Sequence, residues 1–224
     1  MNIIVSKEDK EYIEESIKSG EVLREDLARW FKEKWVDVSK KINGKYLNTG
    51  KLYRVVAFSI DPSGNITKQA IENSANFLEF LEKFGENIEI FSKENSELTS
   101  QIATIPQVRQ NLFQFQIDFA NSHSPVILEG RDIGTHILPN AEYKFFVTAS
   151  ANERATRRFN QEKANGLNPS FEEILDAITK RDERDSTRKE NASLPAKDAI
   201  IIDTTELSIQ ASLNKILHEI QWQI

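Results

Sequence analysis

From Leu23 the apolar positions recur three or four apart, through Leu27, Phe31, Trp35 and Val38 to Ile42. That single stripe predicts an amphipathic helix over 23–42, and Asn43-Gly44 supplies its stop. Ahead of it, residues 2–5 (NIIV) read as a short strand. Residues 7–20 are charged, with Tyr12, Ile13 and Ile17 at rough helical spacing. After the stop, KYLNTGKLYRVVAF (45–58) predicts a short strand, a glycine turn at Gly50 and another apolar stretch.

Residues 61–65 (DPSGN) form a turn signal. It opens onto a helical pattern over 67–84, with Ile71, Phe77, Leu78 and Leu81 on one side. The alternation in NIEIF (87–91) predicts a strand, and 99–121 a long helix bent at Pro106. PVILEGRDIG (125–134) and YKFFVTAS (143–150) read as buried strands, the second running straight into a helix over 151–166. Helix over 171–188, buried strand over 199–204 and closing helix over 207–222 complete the chain. Short buried strands alternating with helices predict an α/β protein with a parallel sheet and helices on both faces. No linker divides the chain, so 1–224 is expected to be a single domain with 62–120 as an insertion.

Composition narrows the chemistry. With 224 residues and 39% hydrophobic content, the chain can bury a sizeable core. Its net charge of −6 argues against nucleic acid as a partner. The absence of cysteine excludes a disulfide framework, a thiolate nucleophile and cysteine-ligated metal. The three histidines, His123, His136 and His218, make no pair at a metal-ligand spacing, and no metal site is expected from protein ligands. MNIIVSKEDKEY has no long apolar run, so neither a signal peptide nor a membrane anchor is expected, and a cytoplasmic address is the default.

Four places put polar groups where strands should end, the position of the ligand crevice in α/β sheets. They are Thr49-Gly50 with Arg54; Gly130-Arg131-Asp132; Arg154, Arg157 and Arg158; and the run KRDERDSTR at 180–188. Planar guanidinium forks suit phosphate, and clustered arginines stabilise charge on a transferring phosphoryl group. Each place also has a plainer explanation. The run 180–188, and likewise Arg154, Arg157 and Arg158, would serve as a solvated, salt-bridged helix face. Gly-Arg-Asp after a strand would serve as a helix cap with an ion pair.

Taken in order, four segments resemble bacterial cytidylate kinase, of the nucleoside monophosphate kinase family. They are YLNTGKLYRVVA (46–57), TSQIATIPQVRQNL (99–112), VILEGRDIGTHILPNAEYKFFVTASANERATRR (126–158) and ITKRDERDSTRKENASLPAKDAIIIDTTELSI (178–209). The resemblance implies the fold of P-loop nucleoside triphosphatases with an inserted CMP-binding subdomain at 62–120. It implies phosphoryl transfer from ATP, with Mg²⁺, to CMP or dCMP in a monomer with no membrane or nucleic-acid partner. Thr49 and Arg54 would lie beside the monophosphate, which Arg131 and Arg188 would hold. Ser100, Arg109 and Asp132 would recognise the cytosine edge, and Arg181 and Asp185 the sugar. Arg157, Arg158 and Arg184 would bind the triphosphate, and Arg131, Arg184 and Arg188 would act on the transferring group.

The departure from the family is at the front. A strand and a glycine-rich phosphate loop are expected ahead of the 23–42 stripe, yet nothing in residues 1–45 matches G-x-x-x-x-G-K-[ST]. Residues 1–22 stand as a divergent segment in its place, with SGEVLRED where the loop should end. Successive loop amides cradle phosphates, and the loop lysine and hydroxyl serve the β/γ oxygens and Mg²⁺. Three readings stand: an ATP:CMP phosphotransferase, a CMP-binding pseudokinase, or a chain whose first 40 residues are foreign to the fold and form a helical interaction arm. The core-facing stripe over 23–42 argues against the third. DPSGNITK (61–68) has one glycine, lies downstream of the CMP-side motif, and does not replace the loop.

Overall fold

The computed structural model describes residues 2–4, 45–164, 166, 168–187 and 192–222. The helical stripe expected at 23–42 and the segment 5–22 lie outside the described residues. Two units divide the chain, one from Met1–Leu47 with His123–Ile224, the other from Asn48–Ser122.

The first unit is built on a five-stranded sheet of order β2-β3-β1-β4-β5. Its strands are β1 (Asn2–Ile4), β2 (Lys45–Asn48), β3 (Val126–Gly130), β4 (Phe145–Thr148) and β5 (Ile200–Asp203). β4 and β5 are parallel, in the register Phe145 to Ile200 through Thr148 to Asp203. β1 pairs antiparallel with both neighbours, Asn2 standing opposite Gly130 of β3 and Phe146 of β4. β3, β4 and β5 therefore all point one way and end at one edge. The expected α/β class with parallel strands holds, and the short β1 joins the sheet as an antiparallel member between β3 and β4.

Ile127 and Leu128 of β3, Phe145 of β4 and Ile202 of β5 are fully buried, as the uninterrupted apolar runs require. α6 (Ala151–Ala164) follows β4, and α7 (Phe171–Ser186) leads back towards β5. Ser170 caps α7 by accepting from the Glu173 amide at 3.3 Å, the S-x-x-E pattern visible in the sequence. α6 and α7 are tied by Arg154, whose two terminal nitrogens reach both oxygens of Asp182 at 3.0 and 2.5 Å. The chain closes with α8 (Ile209–Trp222), which buries Ile216.

The second unit is helical: α1 (Thr49–Phe58), α2 (Ile66–Ala75), α3 (Phe77–Phe84), α4 (Lys93–Ile102) and α5 (Pro106–Asn121). Leu52, Val55 and Val56 of α1 meet a core that includes Ile90, Ile102, Val108 and Leu112, all buried. Several expectations need correcting here. Gly50 lies inside α1 rather than in a turn, because Asn48 caps the helix by accepting from the Lys51 amide at 3.1 Å. The helix expected over 67–84 is two, broken at Asn76. Residues Ile88–Phe91 form a 3₁₀ turn and not a strand. Pro106 does not bend a helix but starts one: it occupies the first turn of α5, where a missing N–H costs nothing.

Candidate functional site

In the second unit, Thr49 opens α1 and is buried. Arg54, further along α1, turns its guanidinium onto the 3₁₀ turn and α4. Its Nη1 donates to the Ile90 carbonyl at 3.1 Å and to Ser96 Oγ at 2.8 Å, and the group lies 5.1 Å from the Phe91 ring centroid. Asn95, a residue no sequence pattern singled out, completes this arrangement. Its side-chain amide donates to the carbonyls of Arg54 at 3.1 Å and Ile90 at 2.8 Å. Ser100 sits one helical turn beyond, on α4. Its Oγ is buried and has no hydrogen-bond partner among the described residues. A buried hydroxyl left in that state costs free energy unless something else comes to satisfy it. Arg109, in the first turn of α5, directs Nη1 towards the Ala103 carbonyl at 3.4 Å.

In the first unit, Arg131 comes together with Arg181 and Asp185 of the 180–188 run. Asp185 of α7 is buried, its side chain 4% exposed, with Arg131 Nη1 3.3 Å from its Oδ2. Arg181, one turn earlier on α7, brings Nε to 3.8 Å from the same oxygen. One buried carboxylate thus draws two partly exposed guanidinium groups, 40% and 32% accessible, to one place. This is the charge pattern a phosphate ester selects. Asp132, beside Arg131, is buried at the start of a π-helical turn over Ile133–Ile137, where its carbonyl accepts from the His136 amide at 2.9 Å. Glu129, at the end of β3, accepts from the Tyr46 hydroxyl of β2.

The arginines expected at the triphosphate each contact neighbouring groups of the protein. Arg157 Nε pairs with Glu153 at 2.7 Å, and its Nη2 donates to the Thr204 carbonyl at 2.7 Å. Arg158 pairs with Glu162 at 2.9 Å, and Arg184 Nε donates to the Lys180 carbonyl at 3.3 Å. Arg188 lies outside the described residues. No group of three or more His, Asp or Glu side chains that could hold a metal ion occurs among the described residues. Where β3, β4 and β5 end, β1 presents its beginning, Asn2. The carboxyl end of β1, Ile4, lies opposite Leu128 inside β3, away from that edge, and residues 5–44 that follow it lie outside the described residues.

The sheet, its crossover helices and the arginine–carboxylate cluster define a nucleotide-binding α/β protein of the kinase type. A family model described as "Cytidylate kinase" matches residues 36–222. The chain is 40% identical over 187 residues to a cytidylate kinase of Pseudothermotoga lettingae, covering 80% of this chain and 83% of that one. It is 36% identical over 198 residues to a cytidylate kinase of Clostridium botulinum, with 82% and 89% covered. A cytidylate kinase of Aquifex aeolicus is 37% identical over 196 residues, with 81% and 88% covered. This chain belongs to the cytidylate kinase family. No helix among the described residues is long and apolar enough to cross a membrane.

Proposed function

We propose that this chain binds CMP or dCMP and serves phosphoryl transfer from ATP to it, giving CDP or dCDP. The observation that carries the proposal is the buried Asp185 carboxylate orienting Arg131 and Arg181. In this proposal Arg131 and Arg188 hold the monophosphate, with Thr49 and Arg54 beside it, while Arg181 and Asp185 reach the sugar. Ser100, Arg109 and Asp132 read the cytosine edge; the buried Ser100 hydroxyl, with no hydrogen-bond partner among the described residues, suits a base bearing an amino donor. The second reading, a CMP-binding protein impaired in transfer, is favoured by the reversed β1 and by arginines 157 and 158 engaged with glutamates. Without a phosphate cradle the transition state loses several kcal/mol, roughly three orders of magnitude or more in rate.

The test is calorimetric titration with CMP, AMP, GMP and ATP–Mg²⁺, followed by a coupled assay for ADP formation. CMP should bind more tightly than AMP or GMP, because a polar pocket rejects a base that leaves its groups unpaired. ATP–Mg²⁺ should bind only in the roughly millimolar range. Equal affinity for CMP and AMP would sink the base assignment. Turnover of about tens per second by purified protein, an ordinary kinase rate, would sink the impaired reading.

A further inference from the structure

Lys144 is a buried cation with no part in the function proposed above. It stands immediately before β4, with its side chain 4% exposed. A buried ammonium is tolerated only where its donors are satisfied and its charge is met, and both conditions are supplied from elsewhere in the chain. Nζ donates to the Pro139 carbonyl, just past the turn that follows β3, and to Asp198 Oδ2, just before β5. The strand ladder adds a third tie, the Ile200 amide donating to the Lys144 carbonyl at 2.8 Å. The three segments also approach closely at Gly134 in the turn. A Cβ there would stand 3.3 Å from Lys144 Cδ and 3.6 Å from Ala196 Cβ.

Both clamped segments lead to residues of the nucleotide site. The turn over Ile133–Ile137 begins at Asp132, whose carbonyl accepts from the His136 and Ile137 amides at 2.9 and 3.3 Å. The segment before β5 is tied to α7 through the Ser193 amide, which donates to the Asp185 carbonyl at 2.7 Å. A displacement of either segment would strip the ammonium of an acceptor, so the buried charge holds both in register.

We propose that Lys144 is a positioning residue for the acceptor nucleotide, acting through the Pro139 and Asp198 contacts to fix Asp132 and Asp185. The inference rests on the reading that Asp132 and Asp185 touch CMP. Because a carboxylate accepts from the cytosine amino group and repels the carbonyl oxygen of uracil at the same place, a misplaced Asp132 loses selectivity as well as affinity.

The test measures Kd for CMP and for UMP in the full chain and in Lys144→Met and Asp198→Asn, alongside thermal melting. The Met variant should bind CMP about tenfold more weakly, short of the ~10²-fold that a full ångström of misplacement costs. Its CMP-over-UMP ratio should fall by a similar factor. Asp198→Asn alters an exposed partner, 65% accessible, and should move both quantities in the same direction by about threefold, from one weakened contact. Variants that melt lower yet keep the wild-type ratio would overturn the inference and leave Lys144 as a support for the fold alone. If Lys144→Met does not fold, the ratio in Asp198→Asn decides by the same criterion. A wild-type chain that does not prefer CMP to UMP overturns the underlying nucleotide reading instead.

Discussion

Arg131→Ala separates a phosphate ligand from a structural arginine. The guanidinium it removes lies 3.3 Å from Asp185 Oδ2 and is 40% exposed. Two consequences follow, of different size. A charge-assisted hydrogen bond to a phosphate contributes about 1.5–3 kcal/mol. At about 1.4 kcal/mol per decade, that is a loss of roughly 10- to 150-fold in CMP affinity. For stability, stripping a buried carboxylate of its sole partner would cost about 3–5 kcal/mol. Asp185 keeps Arg181 at 3.8 Å, however, and Arg131 is open enough to be screened by water. The loss should therefore fall near that of an exposed pair, about 0–1 kcal/mol, or a Tm shift of no more than about 4 °C for a protein of this size. The assay is calorimetric titration of wild type and variant with CMP and with cytidine, backed by a thermal melt. CMP should weaken by the full factor while cytidine changes little. Equal weakening of both ligands, or a Tm loss several times the stated limit, would show that Arg131 holds Asp185 in place and does not bind phosphate.

Two further outcomes are expected. Ser100→Ala should leave the fold as stable or slightly more so, because it removes a buried hydroxyl that has no hydrogen-bond partner among the described residues. It should also weaken CMP by about 0.5–1.5 kcal/mol; a lower melting temperature with unchanged CMP affinity refutes the assignment. The carboxyl of Asp203 is held below its ordinary range by hydrogen bonds from the Thr205 hydroxyl and amide. A depressed folded pKa contributes stability above the unfolded value of about 3.9 and loses it as pH falls through that value towards the folded one. Asp203→Asn should accordingly flatten the loss of Tm between about pH 5 and 3, and an unchanged acid slope would refute that origin.

What was legible in the sequence was local. Val126 to Asp132 announced itself as an apolar run stopped by glycine and charge. Arg131 was singled out at the end of a strand, and Arg181 and Asp185 within the charged run 180–188, which their spacing placed on a helix. Failures came where local signals were ambiguous. The alternation at 87–91 is too short to separate a strand from a 3₁₀ turn. The choice was made by Asn87, whose side chain accepts from the Glu89 amide at 2.9 Å, leaving Ile90 buried and Ile88 76% exposed. The helix break at Asn76 follows from packing, with Phe77 set edge-on against Phe115 at 5.0 Å, a contact between distant residues. Asn95 and Lys144 carry no periodic signature because their partners, residues 54 and 90 in one case and 139 and 198 in the other, are remote in sequence.

Strand direction could not be read from NIIV at all. A strand's side-chain alternation is the same whichever way it runs, so the pattern that identified β1 was silent on its sense. That sense decides the chemistry. β3, β4 and β5 carry Gly130, Thr148 and Asp203 to one edge, where the chain continues into Arg131, Ala149 and Thr204. At the same edge β1 offers Asn2, and its own carboxyl end, Ile4, lies opposite Leu128, two residues back along β3. On the impaired reading proposed above, the missing glycine-rich motif and the reversed strand are separate obstacles to holding a triphosphate. That reading expects a motif grafted directly after Ile4 to restore little ATP binding, because its amides would follow the end of β1 that lies opposite Leu128. The residues proposed to hold the acceptor nucleotide, Arg131, Asp132, Arg181 and Asp185, depend on neither, since they follow β3 or lie on α7 and need nothing from β1's carboxyl end.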